Sequence, residues 1–221
     1  MITREEILAE YPDLTPVAIH HALRRLADDD EIQRVAQGRY TLVDPRVAGP
    51  SAHRFSILTG LYRDSAIAGW SALSHWGLTE QIPRIIDLAV LRGTHVRGRS
   101  QAMRAVRVFH VPSREWFGIQ RVWLSDGEQV PMFSRERSIY DTFLAPSRYG
   151  GTGPAMEVLT TAFEETDATL NALVETAAQS SWLPGIRRFI EGLRDVRGED
   201  VDVSPLERRL EEVSPAAVRQ R

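Results

Sequence analysis

Two capped helix signals, a tight hairpin directly behind them, and a later run of short strands followed by helical periodicity predict an α+β protein. Helix, turn, helix and ribbon in that order over residues 1–46 is the arrangement of a winged helix-turn-helix. The expected module lacks its first helix, because a winged helix ordinarily carries one more helix ahead of these two. Residues 47–221 are expected to form a second, α+β domain with a small antiparallel sheet and C-terminal helices. A chain of 221 residues has room for one small and one medium domain.

The first element is set by Thr3-Arg4-Glu5-Glu6. Thr3 caps the Glu6 amide while Glu6 reaches back, and Ile2 and Ile7 flank the box as a hydrophobic staple, starting a helix that runs to Tyr11. Pro12-Asp13-Leu14 turns the chain. Thr15 is a second N-cap with Pro16 at the first helical position, where its missing N–H costs nothing. The helix that follows runs to about Asp28, with Ile19, Ala22, Leu23 and Leu26 on one side at 100° per residue. Val17, His21 and Arg24 fall opposite, with His20 and Arg25 on the flanks. Ile32–Val35, Ala36-Gln37-Gly38 and Arg39–Leu42 then read as a tight hairpin.

This order places a polar helix face and a basic ribbon where DNA-reading modules place theirs. The candidate DNA-binding residues are Thr15, Val17, His20, His21 and Arg24 on the helix and Arg34, Gln37 and Arg39 on the ribbon. Arg24 has the fork that pairs with guanine, Val17 suits a thymine methyl, and the ribbon arginines suit phosphates. An ordinary solvated helical hairpin is the plain alternative. The charge is unfavourable: residues 1–50 hold six Arg and nine acids, net −3, a poor balance for an unaided phosphate binder. Asp28-Asp29-Asp30-Glu31 opposes the helix dipole and marks the way out of the helix.

Val43-Asp44-Pro45-Arg46-Val47-Ala48-Gly49-Pro50 reads as a linker. Residues 51–62 and 65–76 read as apolar-rich helices, the second ended by Gly77. Four strands are expected at Ile85–Leu91, Ala105–Val111, Ile119–Leu124 and Gln129–Phe133, the last pair joined by Ser125-Asp126-Gly127-Glu128. Gly93–Ser100 is a basic loop with Arg97 and Arg99. From Ser134 the pattern is helical, with Ile139, Tyr140, Phe143 and Leu144 on an apolar face and further helices over 154–165, 167–180 and 184–196. Ser204-Pro205-Leu206-Glu207 reads as another capping box, opening a helix to Val213 ahead of a frayed tail.

Composition narrows the chemistry. There are no cysteines, so disulfides, thiolate nucleophiles and cysteine zinc sites are absent. All 27 basic side chains are arginine, which removes any P-loop or Schiff-base lysine. None of the six histidines has metal-ligand spacing, and no nucleophile elbow or dinucleotide fingerprint is present. Gly150-Gly151-Thr152-Gly153-Pro154 suits a flexible loop before a Pro-started helix better than an anion cradle. No metal or organic cofactor is expected. Without a long apolar run or a secretory signal, no membrane partner and a cytoplasmic location are expected. Residues 84–148 hold eleven Arg against six acids, net +5, and 149–221 hold eight Arg against thirteen acids, net −5. The central excess either adds phosphate contacts or is neutralised within one fold. A nucleic-acid-processing enzyme, such as a metal-dependent nuclease using Asp87, Glu115 and Asp126, is the alternative to a binding protein. A third possibility is a protein-interaction module.

Two blocks carry a family resemblance: Trp70-Ser71-Ala72-Leu73-Ser74-His75-Trp76-Gly77-Leu78-Thr79-Glu80-Gln81-Ile82-Pro83, and Pro131-Met132-Phe133-Ser134-Arg135-Glu136-Arg137-Ser138-Ile139-Tyr140-Asp141. With the ribbon Val35–Tyr40, they resemble the AbiEi-like antitoxins, the transcriptional-regulator half of abortive-infection type IV toxin–antitoxin pairs. The resemblance implies a winged helix that binds double-stranded operator DNA and represses its own operon. It also implies a C-terminal antitoxin domain and, as functional partner, a nucleotidyltransferase-like toxin.

Overall fold

The N-terminal helices begin where their caps put them. In the structure, a computed structural model describing residues 1–44, 49–50, 53–96, 103–124, 127–164 and 169–213, Thr3 and Glu6 form the reciprocal box. The Glu6 amide donates to Thr3 Oγ1 at 3.1 Å and the Thr3 amide to Glu6 Oε2 at 2.6 Å. Helix α1 spans Arg4–Glu10. Thr15 Oγ1 accepts the Ala18 amide at 3.2 Å and opens α2, Pro16–Asp28. Ile19 and Leu23 are buried against Ile32, with Ile7, Leu8, Leu26 and Tyr40 packed around them. Ala22 is exposed, so the apolar stripe is narrower than the periodicity suggested.

Strands β2, Ile32–Ala36, and β3, Arg39–Asp44, form the expected hairpin. Gly38 takes the left-handed conformation its turn needs, at φ +68°. Two partners of β3 were not foreseen. β1, Ile2–Thr3, pairs antiparallel with it, so Ile2 is a half-exposed strand residue. β4, Gly49–Pro50, pairs with Val43 and Asp44. The segment expected as a linker therefore begins and ends in strand, and this sheet reaches past the boundary drawn at residue 46; residues 45–48 lie outside the described residues.

Helix α3, Arg54–Leu61, is capped by His53, whose Nδ1 accepts the Phe55 amide. The helix expected over 65–76 is instead a strand and a helix: β5, Ser65–Ile67, then α4, Gly69–His75. Gly69 makes the switch. Its φ is +56°, and a Cβ there would lie 2.7 Å from Cβ and Cγ of Asp87, so only glycine fits. The other strands are β6, Ile86–Leu91, β7, Val106–Val111, β8, Ile119–Trp123, and β9, Gln129–Phe133.

These strands form one five-stranded sheet in the order β7-β6-β5-β9-β8. β6–β7 and β5–β9 are parallel, while β5–β6 and β8–β9 are antiparallel. The expected small antiparallel sheet is corrected to a mixed one. The cause is β5: three buried residues inserted at the centre join two pairs that would otherwise be separate sheets. Ser125, Asp126, Arg97 and Arg99 lie outside the described residues. The fold is mixed α+β.

Helices α5, Arg135–Leu144, α6, Thr152–Glu164, α7, Leu170–Ala177, α8, Leu183–Arg197, and α9, Ser204–Val213, follow. α5 is buried from Arg137 to Phe143. Its Ile139, Tyr140 and Phe143 join Leu73, Leu159, Phe189, Leu193 and Leu206 in the largest apolar cluster. The capping box expected at Ser204 is replaced: Ser204 donates to Asp202, and Glu207 instead accepts from Arg194 at 2.9 Å. The tail from residue 214 lies outside the described residues.

Candidate nucleic-acid interface

Burying Ile19 and Leu23 turns the opposite side of α2 outward. Thr15, Val17, His20, His21 and Arg24 are all exposed, and Val17 is 64% exposed despite being apolar. The two histidine rings lie edge to face, 5.9 Å apart. Arg24 is held only loosely, by an ion pair of 3.8 Å to Asp28 in which both side chains are more than 70% exposed. Such a pair contributes little and yields at small cost to a stronger acceptor.

The acidic run lies at the other end of the helix. Thirteen residues at 1.5 Å each separate Thr15 from Asp28 by roughly 20 Å. Asp30 takes a left-handed conformation at φ +57°, so the chain turns sharply away there. The N-terminal half of α2 therefore offers a hydroxyl and two imidazoles at a distance from the acidic run, while Arg24, one turn from Asp28, keeps its loose ion pair.

The ribbon residues are differently placed. Arg34 is exposed, and its Nε donates to the nearby Ala36 carbonyl at 3.3 Å. Gln37 is exposed at the turn. Arg39 Nη1 donates to the Gly60 carbonyl at 2.7 Å, so this side chain ties the hairpin to the end of α3. Nothing in the sequence signals that tie, because Gly60 is remote from the hairpin along the chain.

Two of the carboxylates considered for metal chemistry, Asp87 and Glu115, have protein partners; Asp126 lies outside the described residues. Asp87 is fully buried and receives Arg107 in a two-point grip, Nε to Oδ1 at 2.7 Å and Nη2 to Oδ2 at 2.8 Å. The same Oδ2 accepts the Trp70 amide at 2.8 Å, and the Asp87 amide donates to Ser71 Oγ. That hydrogen-bonded partnership raises the Arg107 pKa further. Glu115, also buried, accepts from the Ser180 hydroxyl and from the Ser181 amide and hydroxyl at 2.8–2.9 Å. Among the described residues no group of three or more metal-ligating side chains occurs, and no helix is long and apolar enough to cross a membrane.

No family model matches the chain, and no curated protein matches it. Among solved structures, the RV2827C protein from Mycobacterium tuberculosis is similar, with a TM-score of 0.65 over 96% of this chain and 75% of that one, at 13% identity. The likeness is one of fold.

Proposed function

We propose that this chain is a DNA-binding transcriptional regulator that acts as the antitoxin of a toxin–antitoxin pair. Its winged helix-turn-helix is drawn from residues 1–46, with Gly49–Pro50 added to the same sheet, and the rest of the chain is its antitoxin domain. The observation that carries the DNA-binding part is the solvent face of α2. Thr15, Val17, His20, His21 and Arg24 stand together on an outward helix face, followed by the β2–β3 hairpin of the first sheet, a combination suited to a major groove. Arg34 and Gln37 stand on the ribbon as backbone contacts. Arg39 contributes to DNA only through the donors its bond to Gly60 leaves over.

The antitoxin part rests on the two sequence blocks that resemble the AbiEi-like family. They correspond to α4 with its following loop and to β9 with the start of α5. The partner on this reading is a nucleotidyltransferase-like toxin, and the chain works in the cytoplasm without a cofactor and without catalysing a reaction. The nuclease alternative loses force because Asp87 and Glu115 spend their oxygens on protein donors.

The test is binding of the full chain to the DNA upstream of its own gene and to a scrambled duplex, at several salt concentrations. Preferential binding to the upstream duplex is expected. Equal, salt-driven binding to both would remove the regulator reading. Co-expression with the neighbouring toxin candidate tests the antitoxin part; toxicity undiminished by a folded, expressed chain would remove it.

A further inference from the structure

A cavity of about 290 Å³, lined in part by α5, draws on distant parts of the chain. Arg92 comes from the turn after β6, Arg114 from the short 3-10 turn after β7, Arg137 from α5 and Arg148 from the turn after α5. Glu115, Asp141, His110 and Trp182 complete the part that matters.

The two carboxylates are already used. Asp141 Oδ1 accepts from Arg137 Nη2 at 3.2 Å and Oδ2 from the Tyr149 hydroxyl at 2.6 Å. Glu115 is occupied by Ser180 and Ser181. The arginines are not equally used. Arg92 and Arg114 are exposed, and neither side chain has a hydrogen bond or ion pair among the described residues. Arg148 lies over the Phe109 ring at 4.7 Å. Arg137 is 0% exposed, and among the described residues its Nε and Nη1 have no hydrogen-bond partner. Its Cζ lies over the rings of Phe117 and Phe133, 4.3 and 4.8 Å from their centroids. A buried guanidinium left with unpaired donors is costly unless an acceptor reaches it.

We infer that this cavity is a binding site for a small-molecule phosphate monoester. Four arginines and two carboxylates line the cavity, leaving a surplus of positive charge that matches a dianion. A phosphate monoester is a dianion near neutral pH, whereas a DNA phosphodiester carries one charge and is flanked by sugars on both sides. The planar forks of arginine suit phosphoryl oxygens. The volume is at the small end for ligand sites, enough for a compact molecule and not for a duplex. Trp182, 45% exposed at the cavity, supplies an apolar face for the organic part. The site shares no residue with the proposed DNA face, so its test stands apart from that reading.

The experiment uses the full chain, with titration calorimetry and thermal melting against inorganic phosphate, adenosine 5′-monophosphate, and sodium chloride at equal ionic strength. A saturable rise in melting temperature is expected with both phosphates, beyond the chloride effect and tighter for the nucleotide. The doubly substituted R92Q/R114Q chain removes two side chains that do no structural work, and should fold normally but bind at least about tenfold more weakly. No saturable effect beyond chloride would overturn the proposal, as would unchanged binding in R92Q/R114Q. Binding of inorganic phosphate but not the nucleotide would also overturn it, leaving an adventitious ion only. Loss of duplex DNA affinity in R92Q/R114Q without phosphate binding by the parent would assign these arginines to a nucleic-acid surface instead.

Discussion

Asp87 holds the strand-to-helix junction with a single carboxylate, and its neighbours predict what losing its partner would do. Among the described residues, replacing Arg107 by Met leaves the buried carboxylate with the Trp70 amide as its remaining donor. Removing one member of a buried pair costs about 3–5 kcal/mol, and Arg107 is half exposed, so a loss near or below the lower end is expected. Urea denaturation of Arg107→Met measures it; a change within experimental error would mean that water replaces the guanidinium freely. His75 makes a second prediction. Partial burial, and then the nearby His53, lowers its pKa below the ordinary histidine value. The unfolded chain therefore takes up this proton first, so the contribution is complete above the ordinary value and is lost as pH falls through and below it. An NMR titration in which His75 protonates at or above the ordinary histidine value would contradict this. Arg137 and Asp141 stand at helical i, i+4 spacing and are visible in the sequence as a charge pair. Their complete burial is not visible there, because it comes from Phe117 and Phe133, on other elements, closing over the guanidinium.

Helix α2 was legible because cap, proline and apolar period agree on the same boundaries. If Arg24 pairs with a guanine, Arg24→Ala should weaken binding to the upstream DNA by roughly 1–3 kcal/mol and spare scrambled DNA. Equal loss on both would make Arg24 a phosphate contact. Helix α8 supplies a prediction of packing. A Cβ on Gly192 would lie 2.6 Å from Cε1 of Phe143 on α5. On an open helix Gly→Ala stabilises by about 1 kcal/mol. Here overpacking, typically 1–3 kcal/mol, should exceed that gain, and Gly192→Ala should melt at a lower temperature. A higher melting temperature would show that α5 and α8 separate easily. Strand β5 was not legible. Ser65-Ala66-Ile67 is too short to carry a period of its own, and it runs straight into the apolar α4. Its strand conformation comes from the ladders that β6 and β9 offer on either side.

For the whole molecule, the proposal separates DNA binding from antitoxicity. Arg24 and Arg34 are both exposed and without strong internal partners, unlike Arg39 on the Gly60 carbonyl. A chain carrying R24A and R34A should lose repression yet still protect cells when co-expressed with the toxin from an unrelated promoter. A folded double variant that fails to protect would make DNA binding itself the route of neutralisation. Arg39→Ala should instead lower the melting temperature, because it releases the first sheet from α3. A drop in the salt dependence of DNA binding by about one unit, with no change in melting, would place Arg39 on the phosphates.

Local chemistry was enough to define most helices and four strands of the second sheet. Caps, prolines, glycines and apolar spacing act within a few residues, and each appears directly in the order of side chains. The candidate DNA face on α2 belongs to the same class, since burying Ile19 and Leu23 obliges the other side of the helix to face outward. The mixed sheet, the Arg39–Gly60 tie, the Asp87–Arg107 grip and the arginine-lined cavity depend on partners 20 or more residues apart. Such pairings are chosen by the packing of whole elements, and no single segment of sequence contains the energy that selects them.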